Sequence, residues 1–505
     1  MKRSAIVILI FAGLKFLLIA ATTLQTDYGI FRDEFYYLAC AKHLAWGYVD
    51  QPPFSIGVLR LWTLIAGDSL LSLRILSGFF GACIIVLAGT ITRQLGGGIK
   101  AQTLACIAVL AAPIQMGIAS FYSMNVLEYF FVLAAVSLLL KIVLEKRPVF
   151  WITFGIVLGL GIMNKHTFGV MEAFMLVSLL FTPARKEFLK KEFWIGAGIA
   201  FLLVLPNIIW QAVNHFPSLE FYARAQEMKN VTSSPVKIFL DQILLNGIFM
   251  AILWLAGLVW FLIGKERAQY RWMSITFLLM LAMMIQAQSN RADRIASFVP
   301  VLAAGGAVLW ERLSSKNKLG WTYPVLVVSI LVFGLIAAPM ALPLLKPQQE
   351  SYYMKTIGME PDHEKGISGL LPQNLADRIG WKEFTGSVAD VYRHLPEAER
   401  GKTVVVGRNY GEAGALEYYS RSIGLPRVIS THNSYWMWGP GEPAEVYLVI
   451  GDSRERLMQL FNEVLEGGRT PSGWQMDYEC KRPIWICRHP KKIIAEVWPE
   501  FKTYI

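Results

Sequence analysis

The sequence predicts a polytopic α-helical membrane protein of about eleven transmembrane helices with a C-terminal soluble α/β domain. Three observations carry this expectation. Of the 505 residues, 54% are hydrophobic and only 17% charged, with a mean hydropathy of +0.43, whereas soluble domains carry about a quarter charged residues. Apolar segments near the ~20 residues needed to cross a bilayer recur through residues 1–345. Beyond Pro347 they give way to short strand-like and helix-like runs, so residues 346–505 read as a separate extracytoplasmic α/β domain. The formal charge of +11 does not point to nucleic acid, because the Lys and Arg residues fall largely between apolar spans.

The first span, Met1 to Thr23, begins with Lys2 and Arg3, contains Lys15 and lacks a clean small-residue cleavage site; it reads as an uncleaved helix. Further spans are expected at 69–92, 101–118, 124–144, 149–163, 168–182, 193–211, 238–263, 272–287, 296–310 and 321–342. With the N-terminus inside, the inner connections hold Arg93 and Lys100; Lys146 and Arg147; Arg185, Lys186, Lys190 and Lys191; Lys265, Arg267 and Arg271; and Arg312, Lys316 and Lys318. Every inner loop is then basic, as the positive-inside rule asks. An odd helix count places the first loop, 25–68, the 212–237 loop and the C-terminal domain outside.

The first loop is the most informative stretch. Asp33 and Glu34 form an adjacent carboxylate pair, a helical run over 33–46 follows with Tyr36, Tyr37, Lys42 and His43, and Asp50 stands before Gln51 and Pro52-Pro53. The prolines fix the chain as it leaves Asp50. An ordinary solvated loop has little need of paired acids, clustered aromatics and a double proline, so a site at the membrane surface is the preferred reading.

Other polar islands end the apolar spans. Glu128 begins a helix, where an acid also complements the helix dipole. Lys165 and His166 form a cationic step that suits a phosphate, against the alternative of a lysine snorkelling to head groups. Asn207, Trp210 and Gln211 offer hydrogen bonds and an apolar face for a sugar or a prenyl chain, or simply a wetted helix end. Arg291 and Arg294 flank Asp293, either as an internal ion pair or as a guanidinium clamp for phosphate.

In the C-terminal domain, Thr403–Gly407 and Glu445–Ile450 read as buried strands, Arg454–Leu465 as an amphipathic helix and Trp474–Cys487 as a hairpin with Pro483 near its turn. Five cysteines are too few for a disulfide framework, though Cys480 and Cys487 could bridge that hairpin. The run Gly407 to Gly414 departs from GxGxxG and gives no dinucleotide site; it reads as a tight strand-to-helix turn that could contact a polar ligand.

The order of apolar segment, Asp33-Glu34, Tyr36-Tyr37, Gly47-Tyr48, Asp50, Pro52-Pro53, apolar segment resembles the first external loop of the GT-C membrane glycosyltransferases related to protein O-mannosyltransferases and to the lipid A aminoarabinose transferase. The resemblance covers most of residues 1–345. It implies an inverting transferase of the bacterial inner membrane that takes a sugar from a polyprenyl-phosphate carrier at the periplasmic face and gives it to a lipid, glycan or protein acceptor. It offers Asp33 the role of general base. It makes Glu128 a candidate for acceptor or metal contact and favours Lys165 and Arg294 for the donor phosphate. By their own chemistry Glu34 and Asp50 are further candidates for acceptor or metal contact, with Mg or Mn as the candidate ion, and His166 and Arg291 for the phosphate. By their side-chain chemistry, Tyr37, Asn207, Trp210 and Gln211 are candidate sugar or lipid contacts. The sequence departs from the aminoarabinose type at Gln51, where those relatives carry Lys before the proline pair. Two rival classes are a secondary transporter, which would gather polar residues and broken helices at mid-membrane in two related halves, and a non-catalytic membrane assembly protein.

Overall fold

The computed structural model describes residues 2–228, 232–289, 291–316, 319–361 and 369–505. Lys318, one of the expected inner-loop cations, lies outside them. The chain divides into two compact units: Met1–Leu24, Leu71–Trp210 and Asn230–Leu344 form the first, and Gln25–Leu70, Gln211–Lys229 and Leu345–Ile505 the second.

All eleven apolar segments of the first unit are helical, but they do not all pass as continuous spans. Among the described residues six helices are long and apolar enough to cross a membrane, or up to nine if each of three bent pairs counts as one span. The breaks have local causes. Pro113 leaves Ala112 in an extended conformation, so Ile99–Ala111 and Pro113–Ala119 meet at 64°. Gly247, at φ +99°, separates Pro235–Asn246 from Ile248–Ile263, bent by 113°. Phe150–Asn164 is apolar but has only 15 residues.

The unit is held by close helix packing. Where Ile248–Ile263 meets Val299–Ser314, a Cβ on Gly257 would fall 1.9 Å from the Leu302 carbonyl oxygen, and one on Gly306 would fall 1.9 Å from that of Leu253. Only glycine permits that backbone approach, as in other small-residue contacts between membrane helices. Lys15, inside the first helix, is buried and donates to the Gln115 carbonyl at 3.0 Å in the bent Pro113–Ala119 segment. That hydrogen bond offsets part of the penalty of burying the Lys15 amine.

The second unit contains a five-stranded sheet of β1 (Thr403–Val406), β2 (Val428–Ile429), β3 (Val446–Ile450), β4 (Phe461–Arg469) and β5 (Pro483–Pro490), in the order β2-β1-β3-β5-β4. β1 pairs in parallel with β2 and β3, while β5 runs antiparallel to β3 and β4. Val404, Tyr447, Val449, Phe461, Trp485 and Trp498 belong to its buried core. Two sequence expectations fail here. The helix from Arg454 stops at Leu460, because Phe461 begins β4 and Val464 pairs opposite Cys487. The Trp474–Cys487 hairpin does not form either: its second half is the start of β5, and the partner is β4, a ladder that outweighs local turn signals. Cys480 and Cys487 are both free thiols; Cys487 is buried between Tyr447 and Val464, and the Cys480 Sγ lies 3.5 Å from the Met476 carbonyl oxygen.

The first loop folds onto this domain through its backbone. Gly29 N–H donates to the Arg378 carbonyl at 2.8 Å and Arg32 N–H to that of Asp377 at 3.0 Å. The loop helix is Arg32–Lys42, shorter at its C-terminal end than expected, and it lies against the helix Tyr410–Ile423. The small residues of the Gly407 to Gly414 run serve that packing. A Cβ on Gly414 would meet the Phe35 carbonyl carbon at 2.8 Å, and one on Gly411 the Arg32 Cγ at 2.2 Å.

Candidate functional site

In the second unit, the first turn of the loop helix presents Asp33. Its Oδ1 accepts from the Tyr410 hydroxyl at 2.8 Å and lies 3.6 Å from Arg32 Nε, and the side chain is 32% exposed. Among the described residues its Oδ2 has no hydrogen-bond partner. One oxygen is therefore held while the other is unengaged on a partly exposed side chain, the disposition a proton acceptor needs.

Arg32 is the hub behind it. Its guanidinium bonds the Tyr478 hydroxyl, lies 3.2 Å from the Tyr410 hydroxyl and 3.7 Å from Asp377 Oδ2, and stacks over the Tyr410 ring at 5.4 Å. Tyr478 also donates to Asp377 Oδ1 at 3.1 Å. Burial drives the Asp377 carboxyl up to about 6, and Arg32 opposes that rise without cancelling it. Sequence reading missed Arg32, Asp377, Tyr410 and Tyr478 as site members, since nothing local marks residues drawn together from more than 300 positions away.

The other first-loop candidates have defined places. Glu34 is buried and its Oε2 accepts from Phe31 N–H at 2.9 Å, closing the first turn of its own helix. Asp50 Oδ1 lies 2.8 Å from the Tyr36 hydroxyl, which in turn lies 2.7 Å from Ser434 Oγ. Tyr37 is buried beside Tyr36. Gln211 donates to Ser218 Oγ at 2.6 Å, bracing the turn that leads into Pro217–Met228. Gln51 is fully buried, and among the described residues neither polar atom of its side chain has a partner.

The first unit gathers most of the predicted cations. Lys165 Nζ lies 2.7 Å from Glu128 Oε2 and 2.8 Å from Asn125 Oδ1, and the other Glu128 oxygen accepts from Thr167 at 3.1 Å. Arg291 pairs with Asp293 at 3.0 Å. Burial alone would raise the Asp293 carboxyl, but Arg291, Lys165 and Arg294 together hold it well below the usual range, so all three cations share one field. The turn is anchored by the Tyr129 hydroxyl on the Asp293 carbonyl and by Gln242 on that of Ala292, both at 3.0 Å. His166 Nε2 lies 3.0 Å from Asn207 Oδ1. Trp210, half-buried, closes the unit's share of its helix.

Glu172 is a further acid that sequence reading passed over. It lies in the apolar helix His166–Leu180, is 1% exposed, and among the described residues neither carboxylate oxygen has a hydrogen-bond partner. A lone acid in an apolar helix was the signal that could have found it. Among the described residues no three His, Cys, Asp or Glu side chains come together to hold a metal ion. Within the second unit, the Asp33, Glu34 and Asp50 carboxylates are each engaged by tyrosine or backbone donors.

The first unit supplies the apolar helices, and the second a small mixed α/β domain with an acid heading the first loop helix. The chain is similar in sequence and in fold to membrane glycosyltransferases. Residues 50–210 match the sequence model of the dolichyl-phosphate-mannose-protein mannosyltransferase family. The lipopolysaccharide core galacturonosyltransferase RgtB of Rhizobium johnstonii is 24% identical over 258 residues, 48% of this chain and 49% of that protein. The match thus spans about half the length of that relative. The crystal structure of ArnT from Cupriavidus metallidurans bound to undecaprenyl phosphate superposes with a TM-score of 0.60 at 13% identity, covering 94% of this chain and 97% of that one. The Archaeoglobus fulgidus oligosaccharyltransferase superposes at 0.53 and 12% identity, covering 88% and 67%. These likenesses establish the fold.

Proposed function

We propose that the chain is an inverting membrane glycosyltransferase that moves a sugar from a polyprenyl-phosphate carrier to a lipid, glycan or protein hydroxyl at the periplasmic face of the inner membrane. The observation that carries this is Asp33, whose Oδ1 is fixed by Tyr410 and Arg32 while its Oδ2 has no partner among the described residues. In the reaction the acceptor oxygen attacks the anomeric carbon, its proton passes to Asp33 Oδ2, and the anomeric carbon–oxygen bond breaks with its electron pair going to the lipid phosphate. Attack opposite the phosphate inverts the centre.

The leaving phosphate needs cations, and Lys165, Arg291 and Arg294 around Asp293 are suited to supply them once an incoming phosphate competes with Glu128 and Asp293. The undecaprenyl phosphate bound in the ArnT structure supports this donor class, and the galacturonosyl transfer named for RgtB supports sugar transfer. Glu34, which closes its helix turn, and Asp50, beside the Tyr36 hydroxyl, support the shape of the acceptor side.

Secondary transport is the second reading, favoured by the bent helix pairs and by Glu172 inside an apolar helix. Reconstituted protein supplied with a panel of polyprenyl-phosphate sugars separates the two. Sugar transfer to an extracted acceptor supports the enzyme, whereas ion or solute flux without transfer supports the transporter.

A further inference from the structure

The second unit holds a cavity of about 300 Å³ that plays no part in the chemistry above. Arg60, Lys42, Asp68, Glu417 and Arg421 line it over an apolar floor that includes Phe35 and Leu38. Its two acids are already engaged. Glu417 takes Lys42 at 2.5 Å and the Tyr435 hydroxyl at 2.9 Å, and Asp68 takes Arg421 at 2.6 Å. Arg60 is half-buried and, among the described residues, has neither an ion-pair nor a hydrogen-bond partner for its guanidinium. Two closed pairs therefore frame one unmatched positive charge, which attracts an anion with two oxygens to offer.

The helix that carries Arg60 says where the anion comes from. Phe54–Ala66 is an apolar helix whose Leu61, Leu64 and Ile65 are 66%, 64% and 84% exposed. These positions form one stripe at helical spacing, and Arg60 lies one turn before Leu64 on the same side. A guanidinium bordering an outward apolar stripe is the pattern of a helix lying in a lipid interface, with the cation at head-group level. A soluble anion would have no use for that stripe.

We propose that this cavity binds the phosphate head group of an anionic membrane lipid, with Arg60 on the phosphate and the Leu61–Ile65 stripe against its acyl chains. The inference does not rest on the glycosyl-transfer reading. The test is native mass spectrometry of the full chain from mixed micelles of phosphatidylglycerol and phosphatidylcholine. Wild type is expected to retain phosphatidylglycerol preferentially. Arg60→Gln should lower that preference about tenfold, the scale of one charge-assisted bidentate contact, and Arg60→Lys should keep part of it. Arg421→Gln, which frees Asp68 inside the cavity, should weaken retention as well and gives a second reading if Arg60→Gln does not fold. Equal lipid preference in wild type and these variants overturns the site. Arg60-dependent thermal stabilisation by inorganic phosphate alone, equal to that by the lipid, overturns the lipid assignment in favour of a free anion.

Discussion

The Glu128–Lys165 pair separates a structural role from a chemical one. Its side chains are 2% and 12% exposed, so neither charge is well hydrated if its partner is removed. Breaking a buried pair by losing one member costs about 3–5 kcal/mol. The edge exposure of Lys165 and its bond to Asn125 reduce that to roughly 2–3 kcal/mol for Glu128→Gln or Lys165→Met. The double variant Glu128→Gln with Lys165→Met removes both charges together and should cost much less than the two single changes combined. Thermal unfolding of detergent-solubilised protein reads the stability cycle, and sugar transfer from a saturating polyprenyl-phosphate donor reads function. We expect the double variant to be nearly as stable as wild type yet inactive, while Glu128→Gln, which frees Lys165 for phosphate, keeps transfer and lowers KM for the donor. Additive stability losses would refute the coupling. A fully active double variant would refute the phosphate role of Lys165.

Three further outcomes follow from the second unit. Tyr410→Phe removes the 2.8 Å bond that fixes Asp33 and should slow transfer roughly tenfold with little change in donor KM; a change in KM alone would place Tyr410 in binding. Asp377 gives a pH dependence: its folded value, about 6, lies above the unfolded one, so the folded state binds the extra proton. Stability is then greatest below about pH 4 for this group and declines as pH rises to about 6. Asp377→Asn should flatten the melting-temperature profile across that window, and an unchanged profile contradicts the assignment. Gly414→Ala drives a methyl into the Phe35 backbone and should destabilise the unit by about 1–3 kcal/mol, measured by melting; a neutral substitution would mean that the two helices separate easily.

The membrane half was largely legible because its signal is local. Every apolar segment became a helix, and the proline and glycine that break two of them stand in the sequence. What composition could not settle is whether a broken segment crosses, since Pro113 and Gly247 turn the chain by angles that only packing determines. The C-terminal domain was less legible where a ladder overrode propensity: Phe461 to Leu465 suits a helix until β5 offers it a strand partner. Among the candidate residues, Asp33 stood out in the first loop, and Glu128, Lys165, Arg291 and Arg294 as charges at the ends of apolar spans. Their partners did not. Tyr410 and Asp377 are ordinary residues of another domain, and only the docking of the loop backbone on Asp377 and Arg378 brings them to Asp33 and Arg32. Even Glu34, half of the pair that drew attention to the loop, is spent on capping its own helix.

The central claim is that Asp33 accepts the acceptor proton in transfer from a lipid-linked sugar. It is tested by incubating purified wild type and Asp33→Asn, in equal amounts and of equal melting temperature, with radiolabelled polyprenyl-phosphate sugars and membrane extract. Loss of a general base predicts transfer by wild type and a rate lower by about 10²–10⁴-fold in the variant. Transfer within about threefold of wild type by Asp33→Asn, far short of what loss of a general base removes, would contradict it.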